Sequence, residues 1–321
     1  MVKRKKKYIP GLAQIKFKPS EDWEIDDAYE LYKKASHVIE VDKIIYNNCI
    51  EGMKNLPESS IDLIIADPPF GIEFDGKGSQ YNRNKDLVID GYKEVISDYS
   101  TFTNEWIKEL PRIMKDTSSA FIFSGWTNLI DILNSVNKNK LTTINHIIWK
   151  YQFGVFTKNK FVSSHYHVLF IVKNPKKYYF NKIENYPLDI WDIPRTYMTG
   201  RKKNSTKLPE DVVIRCINFC SRPGALIFDP FMGNGTTAVC AKSNYRHYLG
   251  FEKNINMQKI IKQNIDLVSV GEKYLPYYSY LPSIKEIIKK YPHLKNYIDA
   301  KLIDENDNIK NKQGKILEYI E

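Results

Sequence analysis

The sequence predicts an α/β domain built on a largely parallel β-sheet, and three observations carry that prediction. Six short apolar runs recur along the chain, and segments with helical spacing separate several of them. Two of the runs end in an acidic or glycine-containing turn, where open α/β sheets hold ligands. The 321 residues are 42% hydrophobic, enough for one large core without disulfide or metal staples.

In chain order, residues 1–43 form a basic extension that includes Lys3-Arg4-Lys5-Lys6-Lys7. This run suits a solvated tail as well as a polyanion contact. Ile61–Ala66 reads as the first buried strand and leads directly into Asp67-Pro68-Pro69-Phe70. Residues 74–100 are rich in Gly, Asn, Asp and Lys and keep no period, which reads as a mobile functional loop. A helix follows in which Phe102, Trp106, Ile107, Leu110 and Ile113-Met114 are spaced to bury one stripe. Ala120–Phe123, His146–Trp149 and Val168–Val172 are the next strands. Residues 174–206 lose the pattern again and are aromatic and basic.

A helix from about Glu210 to Cys220 places Val213, Ile214 and Ile217 on one side. Strand Ala225–Phe228 then enters Asp229-Pro230-Phe231-Met232-Gly233-Asn234-Gly235-Thr236-Thr237, followed by helical Ala238–Lys242. The last strand, Tyr248–Phe251, ends at Glu252. A core domain over 44–268 is therefore expected, with 269–321 as a helical appendage containing Ser283–Ile303.

The net charge of +10 is concentrated. Residues 150–209 carry twelve Lys and Arg against three acids, interleaved with Tyr151, Tyr166, Tyr178, Tyr179, Tyr186, Trp191 and Tyr197. That mixture suits phosphate contact with base stacking. No 18-residue apolar run occurs, and none follows the basic N-terminus, so a soluble intracellular protein is expected. Cys216 and Cys220 read as small core residues. His165 and His167 are read as facing opposite sides of a strand, so no metal is expected.

Two motifs carry chemistry. In Asp67-Pro68-Pro69-Phe70 the prolines fix the backbone and remove two N–H donors while leaving carbonyls to accept. The Asp67 carboxylate and Pro68 carbonyl then suit a planar group bearing an NH2, with Phe70 stacking on its ring. Alone, the tetrapeptide reads equally well as a strand-ending turn closed by an Asx hydrogen bond. Around Gly233 and Gly235 the chain can turn tightly and admit a ligand to its backbone, and Glu252 ends the next strand, where a ribose would present hydroxyls. Alone, Glu252 reads equally as an acid stabilising a helix start.

Together the motifs resemble the amino-methylating DNA methyltransferases that use S-adenosylmethionine. Asp67-Pro68-Pro69-Phe70 is similar to their catalytic motif, and Asp229-Pro230-Phe231-x-Gly233-x-Gly235-Thr236 to their cofactor loop. The catalytic motif comes first, as in the circularly permuted β class. Ser205-Thr206-Lys207-Leu208-Pro209 is similar to the family's Thr-x-Lys-Pro element, with Leu208 interposed. His165-Tyr166-His167-Val168-Leu169 is similar to its His-Glu-x-Ile-Leu strand, with Tyr166 where Glu is usual. Asn47-Asn48-Cys49 is similar to its Gly-Asp-Cys, with Asn48 in place of an acid near the cofactor adenine.

The resemblance implies a Rossmann-like, seven-stranded mixed sheet with helices on both faces. It implies catalysis by Asp67, Pro68, Pro69 and Phe70 on a flipped base. It implies a pocket for S-adenosylmethionine lined by Asp229, Phe231, Gly233, Gly235, Thr236, Glu252, Lys207 and Asn48. Double-stranded DNA is the expected substrate, met by Tyr81, Arg83 and Lys85 in the 74–100 loop and by Arg195, Arg201, Lys202 and Lys203 in a target-recognition segment at 174–206. Residues 147–155, 164–167 and 75–83 also resemble archaeal CTAG-specific enzymes that methylate cytosine N4, whereas Asp at the head of the tetrapeptide is commoner in adenine-N6 enzymes. The reading leans to cytosine N4, with a cognate restriction endonuclease as a further partner and a cytoplasmic, nucleoid-associated location. A C5-cytosine mechanism needs a cysteine nucleophile, usually after proline, and no Pro-Cys occurs. Methylation of RNA or protein amines by the same pocket stays open. A nicotinamide-dependent oxidoreductase would leave Asp-Pro-Pro-Phe unexplained, and a non-catalytic DNA-binding module would leave both strand-end motifs unexplained.

Overall fold

The computed structural model describes residues 17–69, 98–152, 154, 158–159, 161–195 and 207–297. They fall into two units, each described by itself. The larger comprises 28–180 and 188–274, and the smaller has 17–27, 181–187 and 275–297 as its described parts.

The regular elements begin with α1 (Ile25–Lys34), β1 (Lys43–Ile45), α2 (Cys49–Lys54), β2 (Ile61–Ala66), α3 (Tyr99–Ile107) and α4 (Leu110–Ile113). β3 (Met114–Ser124), α5 (Leu129–Lys138), β4 (Thr142–Lys150), β5 (His165–Val172) and β6 (Ile190–Asp192) follow. The larger unit closes with α6 (Glu210–Cys220), β7 (Leu226–Asp229), α7 (Thr236–Lys242), β8 (His247–Phe251) and α8 (Gln258–Asp266). The smaller unit contains α9 (Ile284–Lys290).

All eight strands join one mixed sheet in the order β1-β8-β7-β2-β3-β5-β4-β6. β5 runs antiparallel to both of its neighbours, and every other pair is parallel. Beyond the seven strands implied by the resemblance stands β6 at the edge, three residues long, with Trp191 opposite Trp149. β2 is the centre of the sheet because five of its six residues are apolar and buried. The exception, Asp62, ties it to both neighbours. Its carboxylate accepts from the Leu226 N–H at 2.9 Å and from Lys115 Nζ at 2.7 Å.

On one face Ile64, Ala66, Ile122, Leu169 and Ile171 pack with Trp106 and Ile107 of α3 and Ile132 and Val136 of α5. Each such side chain fully removed from water contributes about 1.5–3 kcal/mol. The single helix expected to run through Ile113-Met114 is divided. α3 ends at Ile107, α4 is one turn with Pro111 in its first residues, and Met114 already begins β3 opposite Ile61. Pro111 has no N–H with which to continue a helix, yet Trp106, Ile107, Leu110 and Ile113 are all fully buried. In the smaller unit a capping box between Ser283 and Glu286 starts α9, and Pro292 follows its end. The described part of the expected Ser283–Ile303 helix therefore stops at Lys290 and continues as a 3-10 turn over Pro292–Tyr297.

His165 and His167 correct the sequence reading. Residues two apart on a strand share a face, and the two rings lie with centroids 5.1 Å apart. His146 joins them from β4, its Nε2 2.7 Å from Nδ1 of His167. Burial and the two neighbouring imidazoles pull His167 down to about 4. Among the described residues no group of three His, Cys, Asp or Glu converges to hold a metal, and no helix is long and apolar enough to cross a membrane.

Candidate active site

The site forms where the carboxyl ends of two adjacent parallel strands meet. Pairing of Leu63 with Ile227 and Ile64 with Phe228 sets β2 beside β7, so Asp67 and Asp229 emerge at the same edge. Pro68 is buried behind Asp67, while Phe70 lies outside the described residues. Asp67 leaves part of its surface open to a cavity lined by Phe123, Trp149, Tyr166, Arg195, Lys207 and Leu208. Protein atoms crowd its other sides. That burial raises its carboxyl to about 7, the Asp229 charge adds to the rise, and Arg195 opposes it.

Asp229 organises the glycine turn. One of its carboxylate oxygens accepts from the Phe231 N–H at 2.8 Å and the other from the Thr237 hydroxyl at 2.6 Å. Burial still lifts this carboxyl to about 7. Gly233 and Gly235 take φ of +54° and +80°, backbone that a side chain would strain. The turn is fastened to the next strand by Glu252, whose carboxylate accepts from the Gly233 N–H and the Asn254 N–H, each at 2.8 Å. Burial raises Glu252, against the pull of these backbone donors. Phe231 packs edge-on against Trp106 at 5.3 Å between ring centroids, and Thr236 is buried at the start of α7.

Other expected cofactor residues fall differently. Asn48 caps α2, its side chain accepting from the Ile50 N–H at 3.0 Å. Lys207 lines the Asp67 cavity and pairs with Glu210 at 3.5 Å. Tyr46, just past β1, was missed by sequence reasoning. Burial and then the charge of Glu252 raise its hydroxyl, so the two groups are close. The only sequence signal for it was its place directly before the Asn47-Asn48-Cys49 motif.

A cofactor with a ribose fits this half of the site on its donor and acceptor chemistry. Glu252 offers a buried carboxylate to a diol, Tyr46 stands beside it, and a Cβ at Gly233 would meet nothing nearer than a carbonyl at 3.7 Å.

Among the expected DNA contacts, Tyr81, Arg83, Lys85, Arg201, Lys202 and Lys203 lie outside the described residues. Arg195 is described, and it faces the cavity. Its guanidinium sits over Tyr151 at 4.1 Å, Tyr166 at 4.7 Å and Trp149 at 5.5 Å. Its backbone is clamped by Gln152, which accepts from the Arg195 N–H at 2.9 Å and donates to its carbonyl at 3.0 Å. Trp149 Nε1 holds the same strand end through the Ile193 carbonyl at 2.8 Å. Of the aromatic wall of Phe123, Trp149 and Tyr166, the sequence singles out Tyr166, as one of the aromatics suited to base stacking. Tyr166 also stands where the resembled family has an acid.

A family model described as DNA methylase matches residues 61–263. The Type II methyltransferase M.HinfI of Haemophilus influenzae is 30% identical over 230 residues, covering 65% of this chain and 64% of that protein. The Type II methyltransferase M.HpaI of Haemophilus parainfluenzae is 28% identical over 243 residues, covering 70% of this chain and 74% of that protein. The chain thus spans less than two thirds of the length of M.HinfI. A solved complex of M1.HpyAVI with SAM superposes with a TM-score of 0.53 at 21% identity, over 70% of this chain and 99% of that one.

Proposed function

The chain belongs to the DNA methylase family, and from that premise we propose that it transfers a methyl group from S-adenosylmethionine to an exocyclic amino group of a base in double-stranded DNA. The observation that carries this reading is the emergence of Asp67 and Asp229 at one edge of adjacent strands, close enough for the Asp229 charge to raise the Asp67 carboxyl. An amine-binding corner and a nucleoside-binding turn are then neighbours.

S-adenosylmethionine supplies an electrophilic methyl on a sulfonium when bound. The Gly233–Gly235 turn, Glu252 and Tyr46 would hold its nucleoside, and Asp229 keeps the turn in shape. The target base must leave the duplex stack, at a cost of a few kcal/mol, and enter the Asp67 cavity. There the Asp67 carboxylate and the Pro68 carbonyl accept hydrogen bonds from the amine, which draws the nitrogen lone pair out of conjugation. Phe70 is assigned the stacking role. Asp67 also offsets the positive charge that develops on the nitrogen, so catalysis rests on positioning and electrostatics.

We assign the base as cytosine, methylated at N4, on the likeness of residues 147–155, 164–167 and 75–83 to CTAG-specific enzymes. Adenine N6 is the second reading, favoured by the aspartate that heads the tetrapeptide. The Type II names of M.HinfI and M.HpaI support a restriction-modification setting with a cognate endonuclease, and a DNA substrate supports a cytoplasmic site of action. The test is to incubate the full chain with S-adenosylmethionine and mixed-sequence unmodified DNA, digest to nucleosides and identify products by mass spectrometry. N4-methyldeoxycytidine is the expected product. N6-methyldeoxyadenosine selects the second reading, and no methylated nucleoside refutes both.

A further inference from the structure

Asp67 is an acceptor on one wall of the cavity, and Arg195 is a donor on another. The guanidinium is held by three aromatic rings, a grip that uses its charge and leaves in-plane N–H groups to donate. Among the described residues no side chain accepts from it, and no ion pair joins it to Asp67. Its backbone is fixed on both sides by Gln152, so its place is set before any substrate arrives. A half-buried cation with donors turned to a cavity suits a ligand that brings an acceptor.

Resting on the methyltransferase reading above, we propose that Arg195 donates to the ring nitrogen beside the amine-bearing carbon of the target base, and so sets the register in which the amine meets Asp67. That nitrogen is N3 in cytosine and N1 in adenine, and in both bases it is an unprotonated acceptor adjoining an amine donor. Thymine and guanine present the reverse order, a carbonyl acceptor adjoining a ring N–H. They would oppose Asp67 with an acceptor and Arg195 with a donor. The pair therefore accepts the amine and adjoining ring nitrogen of cytosine or adenine, and it rejects thymine and the carbonyl edge of guanine. Arg195 is in this account a specificity-determining residue.

The test combines a protein change with a base change. Once the methylated site is mapped by sequencing treated DNA, wild type and Arg195→Ala are compared on oligonucleotides with the natural target base and with its deaza analogue. The analogue is 3-deazacytosine or 1-deazaadenine, in which the ring nitrogen becomes C–H. Each change alone should lower kcat/KM by roughly ten- to hundredfold, and the two together should cost no more than either alone. Arg195→Lys, which keeps the charge but loses the fork, should fall between. Cofactor titration of Arg195→Ala should match wild type and its thermal unfolding should stay a single cooperative transition, separating this role from a folding defect. Losses that multiply, or an Arg195→Ala enzyme within twofold of wild type, would overturn the proposal while leaving the methyltransferase reading intact. A wild type that methylates no base overturns both.

Discussion

Replacing Asp67 with Asn should make the protein more stable and inactive, and the size of the gain follows from its surroundings. The carboxyl is raised from its ordinary 3.8 to about 7, chiefly by burial. That displacement of roughly three pH units corresponds to about 4 kcal/mol as a ceiling. Asp67 keeps part of its surface open to the cavity, so solvent screening reduces the expected cost of its charge to about 1–2 kcal/mol. The sign follows from proton binding. Between pH 4 and 7 the native state keeps a proton that the unfolded chain has released, so stability falls as pH rises through that window. Asp67→Asn removes the loss. Its advantage should be absent near pH 4 and complete above pH 7, as a rise in Tm of roughly 2–6 °C at pH 8. Thermal melts of both proteins across this range, paired with methyl-transfer assays at pH 8, measure it. A variant less stable than wild type at pH 8, an equal shift at every pH, or substantial residual turnover would refute the reasoning.

Three further outcomes follow from the cofactor half of the site. Gly235→Ala places a Cβ 3.0 Å from Ile261 Cγ2 on backbone at φ +80°, so it should destabilise by about 1–2 kcal/mol and weaken cofactor affinity in a calorimetric titration. Thr237→Val deprives buried Asp229 of its hydroxyl donor and should cost about 1–3 kcal/mol in chemical denaturation, with a larger loss at pH 8 than at pH 5 because the ionised carboxylate is the form left unsatisfied. Asn48→Ala removes the cap of α2 and should cost about 1 kcal/mol, which Asn48→Asp should restore; a loss of cofactor affinity in Asn48→Ala without any change in Tm would show that the cap is not its main work.

The legible parts of the molecule were those written in contiguous sequence. Ile61–Ala66, but for Asp62, and Leu226–Phe228 are buried, so they appear as apolar runs, and the chemistry-bearing Asp67 and Asp229 follow them directly. β1 and β6 escaped because three residues carry too little periodicity, and their pairing partners decide that they are strands. Helical spacing runs on through Met114 because a buried stripe continues across Pro111 whether or not the helix does. The cavity wall was hidden for a different reason. Phe123, Trp149 and Tyr166 come from three strands that become neighbours only because β5 inserts antiparallel between β3 and β4. The aromatic and basic composition of 150–209 suits a surface for nucleic acid, yet Tyr151 and Tyr166 turn inward to hold Arg195. Composition records which residues are present and not which way they face.

The adjacency of β2 and β7 also governs when the protein can become competent during its own synthesis. The tetrapeptide leaves the ribosome early, but the flank of β2 that will receive β7 must wait while the intervening chain is made. Throughout that interval a central strand with five apolar residues in six presents one unpaired hydrogen-bonding side, an invitation to other nascent chains. A truncated product ending before Leu226 would keep that open flank permanently. It should therefore accumulate as aggregate rather than as a half-enzyme able to bind and withhold substrate.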